Sequence, residues 1–215
     1  MSYRTGRPRR TPPNFLANPD LRLGLGLAGM TLSGLPVHQH SVGPREEALF
    51  RAVNGIPDGL HLAAWLIMQS GSLAAAPAAA TLAWGSGRPR LALRLGLGGL
   101  ASWALSKAVK RVYRRPRPGS LVAGARTRGA EASGLGYVSG HAGVAVALDI
   151  AAFPELGPAG RLATLLAVPA VGLCRIYVGA HLPLDVAGGA AMGLAVDGVL
   201  ARILTGVERC LLNPT

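Results

Sequence analysis

Residues 60 to 84, "LHLAAWLIMQSGSLAAAPAAATLAW", contain no Asp, Glu, Lys or Arg, and as one helix they would cross the roughly 30 Å hydrocarbon layer of a bilayer. A segment this apolar must satisfy its backbone polar groups internally, which in lipid means a helix packed among helices. The runs 21–37, 91–106, 142–156, 162–173 and 186–204 are shorter or are interrupted by Arg94, Asp149 or Asp197. Together they predict six transmembrane passes, with five or seven also compatible. Half of the 215 residues are apolar and only 15% are charged, sparse for a soluble domain. Gly and Ala recur within the runs and allow close helix approach where lipid supplies no hydrophobic force. The expected fold is all-α: a basic cytoplasmic segment (1–20), a six-helix membrane domain (21–204) and a short tail (205–215). The N-terminal segment is basic, proline-rich and polar, so the first apolar run is expected to stay as an anchor, not to be removed as a signal peptide.

The formal charge of +12 admits nucleic acid, topology-setting loops or an anionic substrate as its reason. Arg4, Arg7, Arg9 and Arg10 precede the first pass, and Arg88 and Arg90 separate the second from the third, so the positive-inside rule assigns both segments to the cytoplasm. The third pass then ends outside in "SKAVKRVYRRPRPGSLVAGARTR", against that rule. Either the orientation is inverted or this cluster binds an anion. Tyr113 is its one aromatic neighbour, too few for a nucleic-acid patch. Asp149 and Asp197 lie inside apparent passes, where an acid is costly unless paired; packing hydrogen bonds are their expected role.

Two further stretches carry chemistry. In "GYVSGHAGVAVALDIAAF", Ser139 and Gly140 precede His141 at the start of an apolar helix, whose free N–H groups form an anion site; simple helix capping explains the same residues. In "RIYVGAHLPLD", Asp185 follows His181 by four residues, so its carboxylate can orient one imidazole nitrogen and leave the other to attack. Arg175 sits at the end of the preceding pass, where its fork suits a phosphate. Counting passes brings Lys110 and Arg117, Ser139 to His141, and Arg175 to Asp185 to one face, which describes a phosphoryl-transfer site.

These motifs resemble those of the type 2 phosphatidic acid phosphatases, whose core is shared with vanadium haloperoxidases and bacterial acid phosphatases. The family pattern is a lysine, six residues and Arg-Pro; then Pro-Ser-Gly-His; then Ser-Arg, five residues, His, three residues and Asp. The chain carries Lys110, "RVYRRP", Arg117 and Pro118; Val138, Ser139, Gly140 and His141; and Cys174, Arg175, His181 and Asp185. It departs from the pattern at Val138, where the family has Pro, and at Cys174, where it has Ser.

The resemblance implies a metal-independent lipid phosphatase without a cofactor. His181 is the implied nucleophile, forming a phosphohistidine, with Asp185 orienting its ring and His141 serving as general acid and then base. Lys110, Arg117, Ser139, Gly140 and Arg175 are the implied phosphate ligands. The implied substrate is a lipid phosphate, polyprenyl diphosphate or phosphate first and phosphatidate or phosphatidylglycerol phosphate second. A lipid-phosphate binding or transport protein without turnover is the alternative of another class. Lys107, Arg111, Arg114, Arg115, Arg126 and Arg128 would favour a more highly charged headgroup, or else meet anionic lipids or solvent. His38, His40 and His61 are read as interfacial. The expected location is the plasma (inner) membrane, multi-pass, with the site facing away from the cytoplasm. Membrane lipids are the expected surroundings and no nucleic acid is expected.

Overall fold

Prolines set most helix starts, because the missing N–H would be unpaired there and the fixed φ suits the first turn. In the computed structural model, which describes residues 17–129 and 134–212, Pro stands in the first turn of six helices. The described residues form α1 (Pro19–Val37), α2 (Pro44–Asn54), α3 (His61–Gln69), α4 (Ala75–Gly85), α5 (Pro89–Tyr113), the short turn α6 (Pro118–Leu121), α7 (Gly140–Ala152), α8 (Pro158–Tyr177) and α9 (Pro183–Leu212). The side chain of Asn18 caps α1 by accepting from Asp20 N at 3.0 Å and Leu21 N at 3.2 Å. Extended pairing among the described residues is limited to a single bridge between Pro116 and Leu135.

The all-α expectation holds, with three differences in detail. Residues 60–84 do not form one helix: α3 ends at Gln69 and α4 starts at Ala75. Between them Ser70, Gly71 and Ser72 donate their amides to Ile67, Met68 and Gln69, three residues back, while Ser70 Oγ donates to Ile67 O at 2.8 Å. Ser-Gly-Ser is neutral on a hydropathy scale, yet it supplies local hydrogen bonds that compete with an α-helix. The loop expected after the first pass contains α2, whose first turn carries Glu46 and Glu47 and whose last carries Arg51, a favourable order for the helix dipole. Helix α9 also continues past residue 204 to Leu212. The basic residues expected on the cytoplasmic side, Arg4 to Arg10, lie outside the described residues.

Among the described residues, α8 and the Pro183–Val207 part of α9 are the helices fit by length and hydropathy together to cross a membrane. α5 has 25 residues but carries Arg90, Arg94, Lys107, Lys110 and Arg111, and α7 has only 13. The outer surface is nevertheless apolar: Leu32 and Leu35 on α1, Leu62 and Leu66 on α3, Leu82 and Trp84 on α4, and Leu165 and Leu166 on α8 are all exposed. Such continuous apolar cover suits contact with lipid.

The interior depends on small residues. A Cβ on Gly189 or Gly193 of α9 would collide with the backbone of Ser139 or Gly143 of α7, so those two helices are close enough to touch through their main chains. α1 lies along α9 in the same way, Gly26 resting on Ala191 and Ala195. One buried acid is fully paired: Arg94 grips Asp197 through Nε at 2.7 Å and Nη2 at 2.8 Å, and Arg22 approaches it at 2.8 Å. This cluster ties α1 and α5 to α9 and agrees with the packing role expected for Asp197.

Candidate active site

The C-terminal ends of α5 and α8 meet the N-terminal ends of α7 and α9 around one cavity of about 250 Å3. Its wall includes Lys110 from α5, Arg117 before α6, Gly140 and His141 from α7, Arg175 from α8 and His181 from the α8–α9 loop. Residues separated by up to 71 positions in sequence are therefore gathered in one place. Among the described residues no acidic side chain contributes to the wall.

Each group reaches the cavity for a local reason. α5 ends when Arg114 adopts a left-handed conformation, φ 50°, after which Pro116 and Arg117 turn back across the bundle. Lys110 Nζ donates to Leu135 O at 2.9 Å, tying α5 to the segment before α7, and Arg117 Nη1 donates to Ala180 O at 3.0 Å, tying the loop after α5 to the loop before α9. Ser139 is the N-cap of α7: its Oγ accepts from Ala142 N at 3.4 Å, and its own N–H donates to Asp185 O at 2.8 Å. It is fully buried behind the wall. Gly140 and His141 carry the first amides of the helix, which have no intrahelical acceptor.

The chain leaves α8 through Gly179 at φ +75°, a conformation suited to glycine, and a Cβ there would collide with Arg126 O. The loop then folds back so that Ala180 N and His181 N donate to Arg175 O at 3.1 and 3.2 Å. His181 Nδ1 lies 3.6 Å from Asp185 Oδ2, which itself accepts from Leu182 N at 2.9 Å. Burial, followed by the charges of Arg175, Lys110 and Arg117, holds the His181 ring well below the usual imidazole range. It is consequently neutral near pH 7, the form that can act as a nucleophile. Arg117 is lowered by burial but stays cationic, with the Asp185 carboxylate acting in the opposite direction.

Three buried nitrogens at this site, Nε of Arg117, Nε of Arg175 and Nδ1 of His181, have no hydrogen-bond partner among the described residues. The two guanidinium nitrogens are costly to bury unpaired and suit an incoming anion, while His181 Nδ1 faces Asp185. Lys110, Arg117, Arg175 and the N-terminus of α7 can take the non-bridging oxygens of a phosphoryl group, with His141 and His181 at the same wall. Among the described residues no group of three or more His, Cys, Asp or Glu is arranged to hold a metal ion.

Several basic residues grouped by sequence separate in space. Of the six extra cations, Lys107 lines the cavity. Arg115 is completely buried against Glu46 and Asp185, and Arg128 pairs with Asp58 and stacks on Tyr177. His40 Nε2 is bonded to Tyr113 O at 2.7 Å, and His38, His40 and His61 are all absent from the cavity wall. The two departures from the family motifs are packing positions. Val138 is buried with Val37, Tyr137 and Met192, and Cys174 with Ala64, Met68 and Tyr177. Gly71, Leu73, Trp103 and Ser106 complete the wall; hydropathy alone marked none of them as site residues.

Comparison with known proteins gives the family of the chain. The model of the PAP2 superfamily matches residues 91–208. The chain belongs to the PAP2 superfamily of lipid phosphatases. It is 30% identical over 151 residues to decaprenylphosphoryl-5-phosphoribose phosphatase of Mycobacterium tuberculosis, in two strains, covering 70% of this chain and 77% of the relative. Its fold is similar to the crystal structure of Aquifex aeolicus LpxE (TM-score 0.63, 20% identity, 72% of this chain and 93% of that one). It is also similar to the transmembrane PAP2-type phosphatidylglycerolphosphate phosphatase of Bacillus subtilis (TM-score 0.65, 21% identity, 86% and 98%). The PAP2 motifs, Lys110 to Pro118, Ser139 to His141 and Arg175 to Asp185, all fall within the matched range. This PAP2 protein is a membrane phosphatase acting on lipid phosphates without a metal.

Proposed function

We propose that this PAP2 phosphatase removes phosphate from a polyprenyl-linked phosphate or diphosphate. The observation that carries the reading is the cavity itself, where two histidines and three motif cations converge with no acid among the described residues of the wall. The polyprenyl preference is supported by the M. tuberculosis relative, whose name states a decaprenyl-linked substrate.

In this reading His181 Nε2 attacks the terminal phosphorus and the bond from that phosphorus to the oxygen joining it to the rest of the substrate breaks, leaving phosphohistidine and an alcohol from a monophosphate or a lipid monophosphate from a diphosphate. His141 gives its proton to the departing oxygen, then takes one from the water that attacks the phosphohistidine, releasing orthophosphate and free His181. Lys110, Arg117, Arg175 and the amide end of α7 at Gly140 hold the non-bridging oxygens, where negative charge is concentrated in transfer. Ser139 acts by capping that helix, and Asp185 orients His181 through Nδ1.

The protein crosses the membrane in six passes, α3 and α4 together making one, with the site on the face opposite the basic N-terminal segment. Segment 205–215 follows the membrane domain, with α9 continuing into it as far as Leu212.

The experiment is phosphate release in detergent from decaprenylphosphoryl-5-phosphoribose, polyprenyl diphosphate, polyprenyl phosphate, phosphatidate and phosphatidylglycerol phosphate. Release from the polyprenyl lipids above the glycerolipids is expected. Release from the glycerolipids alone would reject the substrate class.

A further inference from the structure

Arg115 lies inside the six-residue spacer between Lys110 and Arg117, yet it does not face the cavity. It is the largest fully buried side chain among the described residues. Its Nη1 donates to Glu46 Oε1 at 3.0 Å and to Asp185 Oδ1 at 2.9 Å, and its Nη2 donates to Glu46 Oε2 at 2.7 Å and to Ser41 O at 3.2 Å. Glu46 Oε1 also accepts from Leu184 N at 3.0 Å, in the first turn of α9. Asp185 thus has each oxygen assigned: Oδ1 to Arg115, and Oδ2 to Leu182 N and the side of His181.

The geometry points to Glu46 and Arg115 as positioning residues for the nucleophile, completing a buried chain from Glu46 through Arg115 and Asp185 to His181. This inference rests on His181 being the nucleophile. A carboxylate in the field of Lys110 and Arg117 would otherwise be drawn toward them; Arg115 holds its Oδ1 and leaves Oδ2 facing Nδ1. Glu46 has a separate part. Arg115 and Asp185 alone form a neutral pair, whereas Glu46, Arg115 and Asp185 together carry one net negative charge. That charge matches the positive charge that develops on the His181 ring as Nε2 bonds to phosphorus and Nδ1 keeps its proton. Burial would discourage the Arg115 charge, but the bonds to Glu46 and Asp185 outweigh it and raise its pKa.

A purely structural role and a positioning role separate in kinetics. Glu46→Gln keeps shape and most hydrogen-bond capacity while removing the charge, and Arg115→Met removes the fork that holds Asp185. Arg115→Lys keeps the charge without the fork. The measurements are kcat, KM and inhibition by orthophosphate on folded, monodisperse protein, with acid-stable controls and base-stable phosphohistidine trapped from each variant. For Glu46→Gln we expect kcat to fall by about 10-fold, and for Arg115→Met by on the order of 10²-fold, with phosphate inhibition unchanged and phosphohistidine formation slowed in step with kcat. Arg115→Lys should lie between Arg115→Met and the parent. Unchanged kcat in folded Glu46→Gln overturns the inference, as does weakened phosphate inhibition with kcat intact, which would make Arg115 a substrate ligand in effect. If Arg115→Met does not fold, Glu46→Gln decides alone. A parent enzyme that releases phosphate but traps no phosphohistidine would instead reject the nucleophile assignment on which the inference rests.

Discussion

Gly71→Ala tests whether the break between α3 and α4 belongs to the site. A Cβ at residue 71 would lie 2.5 Å from His141 O and 3.1 Å from both His141 C and Val171 Cγ1. Ordinary contact begins at 3.4 Å, so the closest approach is short by about 0.9 Å, and the atom that must yield is backbone. The shift falls on the first turn of α7, which carries the proposed acid–base group His141. Overpacking of this kind costs about 1–3 kcal/mol of stability, and displacement of a reacting group by about 1 Å can cost on the order of 10²-fold in rate. The expected result is a kcat lowered by ~10²-fold with a folded, monodisperse protein. Gly96→Ala is the control, because its Cβ would meet Ala80 at an ordinary 3.6 Å. Steady-state phosphate release and thermal unfolding in detergent read both effects. Wild-type kcat in folded Gly71→Ala would refute the contact between the helix break and α7.

Cys174→Ser restores the residue typical of the motif but places a hydroxyl in the apolar cluster of Ala64, Met68 and Tyr177; kcat/KM should not rise, and thermal stability should fall by about 1 kcal/mol. Asp197→Ala leaves the buried Arg22 and the partly buried Arg94 without their shared carboxylate, so a loss of about 3–5 kcal/mol is expected in thermal unfolding. The pH dependence follows from His181. Its pKa is depressed in the folded protein and near 6.5 in the unfolded chain, so below about pH 6.5 the unfolded chain binds the extra proton and stability falls as pH drops. Its contribution is complete above that pH. Thermal unfolding of ligand-free protein between pH 7.5 and 5.5 should show this decline, at most about 1.4 kcal/mol per pH unit from this group, and His181→Ala should flatten it.

The motif residues were legible because spacing within each motif is local and helix counting placed the three motifs on one face. His181 and Asp185 are four apart, and Ser139 caps the helix that His141 begins; both relationships follow from helix geometry. The PAP2 likeness then extended over most of the chain. Hydropathy concealed the break at Ser70–Ala74, because its cause is local hydrogen bonding at small neutral residues and close backbone approach to His141. It also concealed α2, since a charged amphipathic helix at the surface looks like a polar loop. Arg115 was grouped with the extra cations around the phosphate site, whereas its partner Glu46 lies 69 positions earlier. A salt bridge across that separation leaves no periodic trace. Val138 and Cys174 illustrate the converse: they stand out in the sequence as departures from the motif, and in the structure both are packed in apolar clusters.

The central claim is that His181 carries the phosphoryl group in a metal-independent reaction on a polyprenyl-linked phosphate. Its most direct test is phosphate release from decaprenylphosphoryl-5-phosphoribose and polyprenyl diphosphate by purified protein in EDTA, beside His181→Ala. The account predicts release that survives EDTA and is abolished in the variant. Release lost on chelation, or retained in folded His181→Ala, would contradict it.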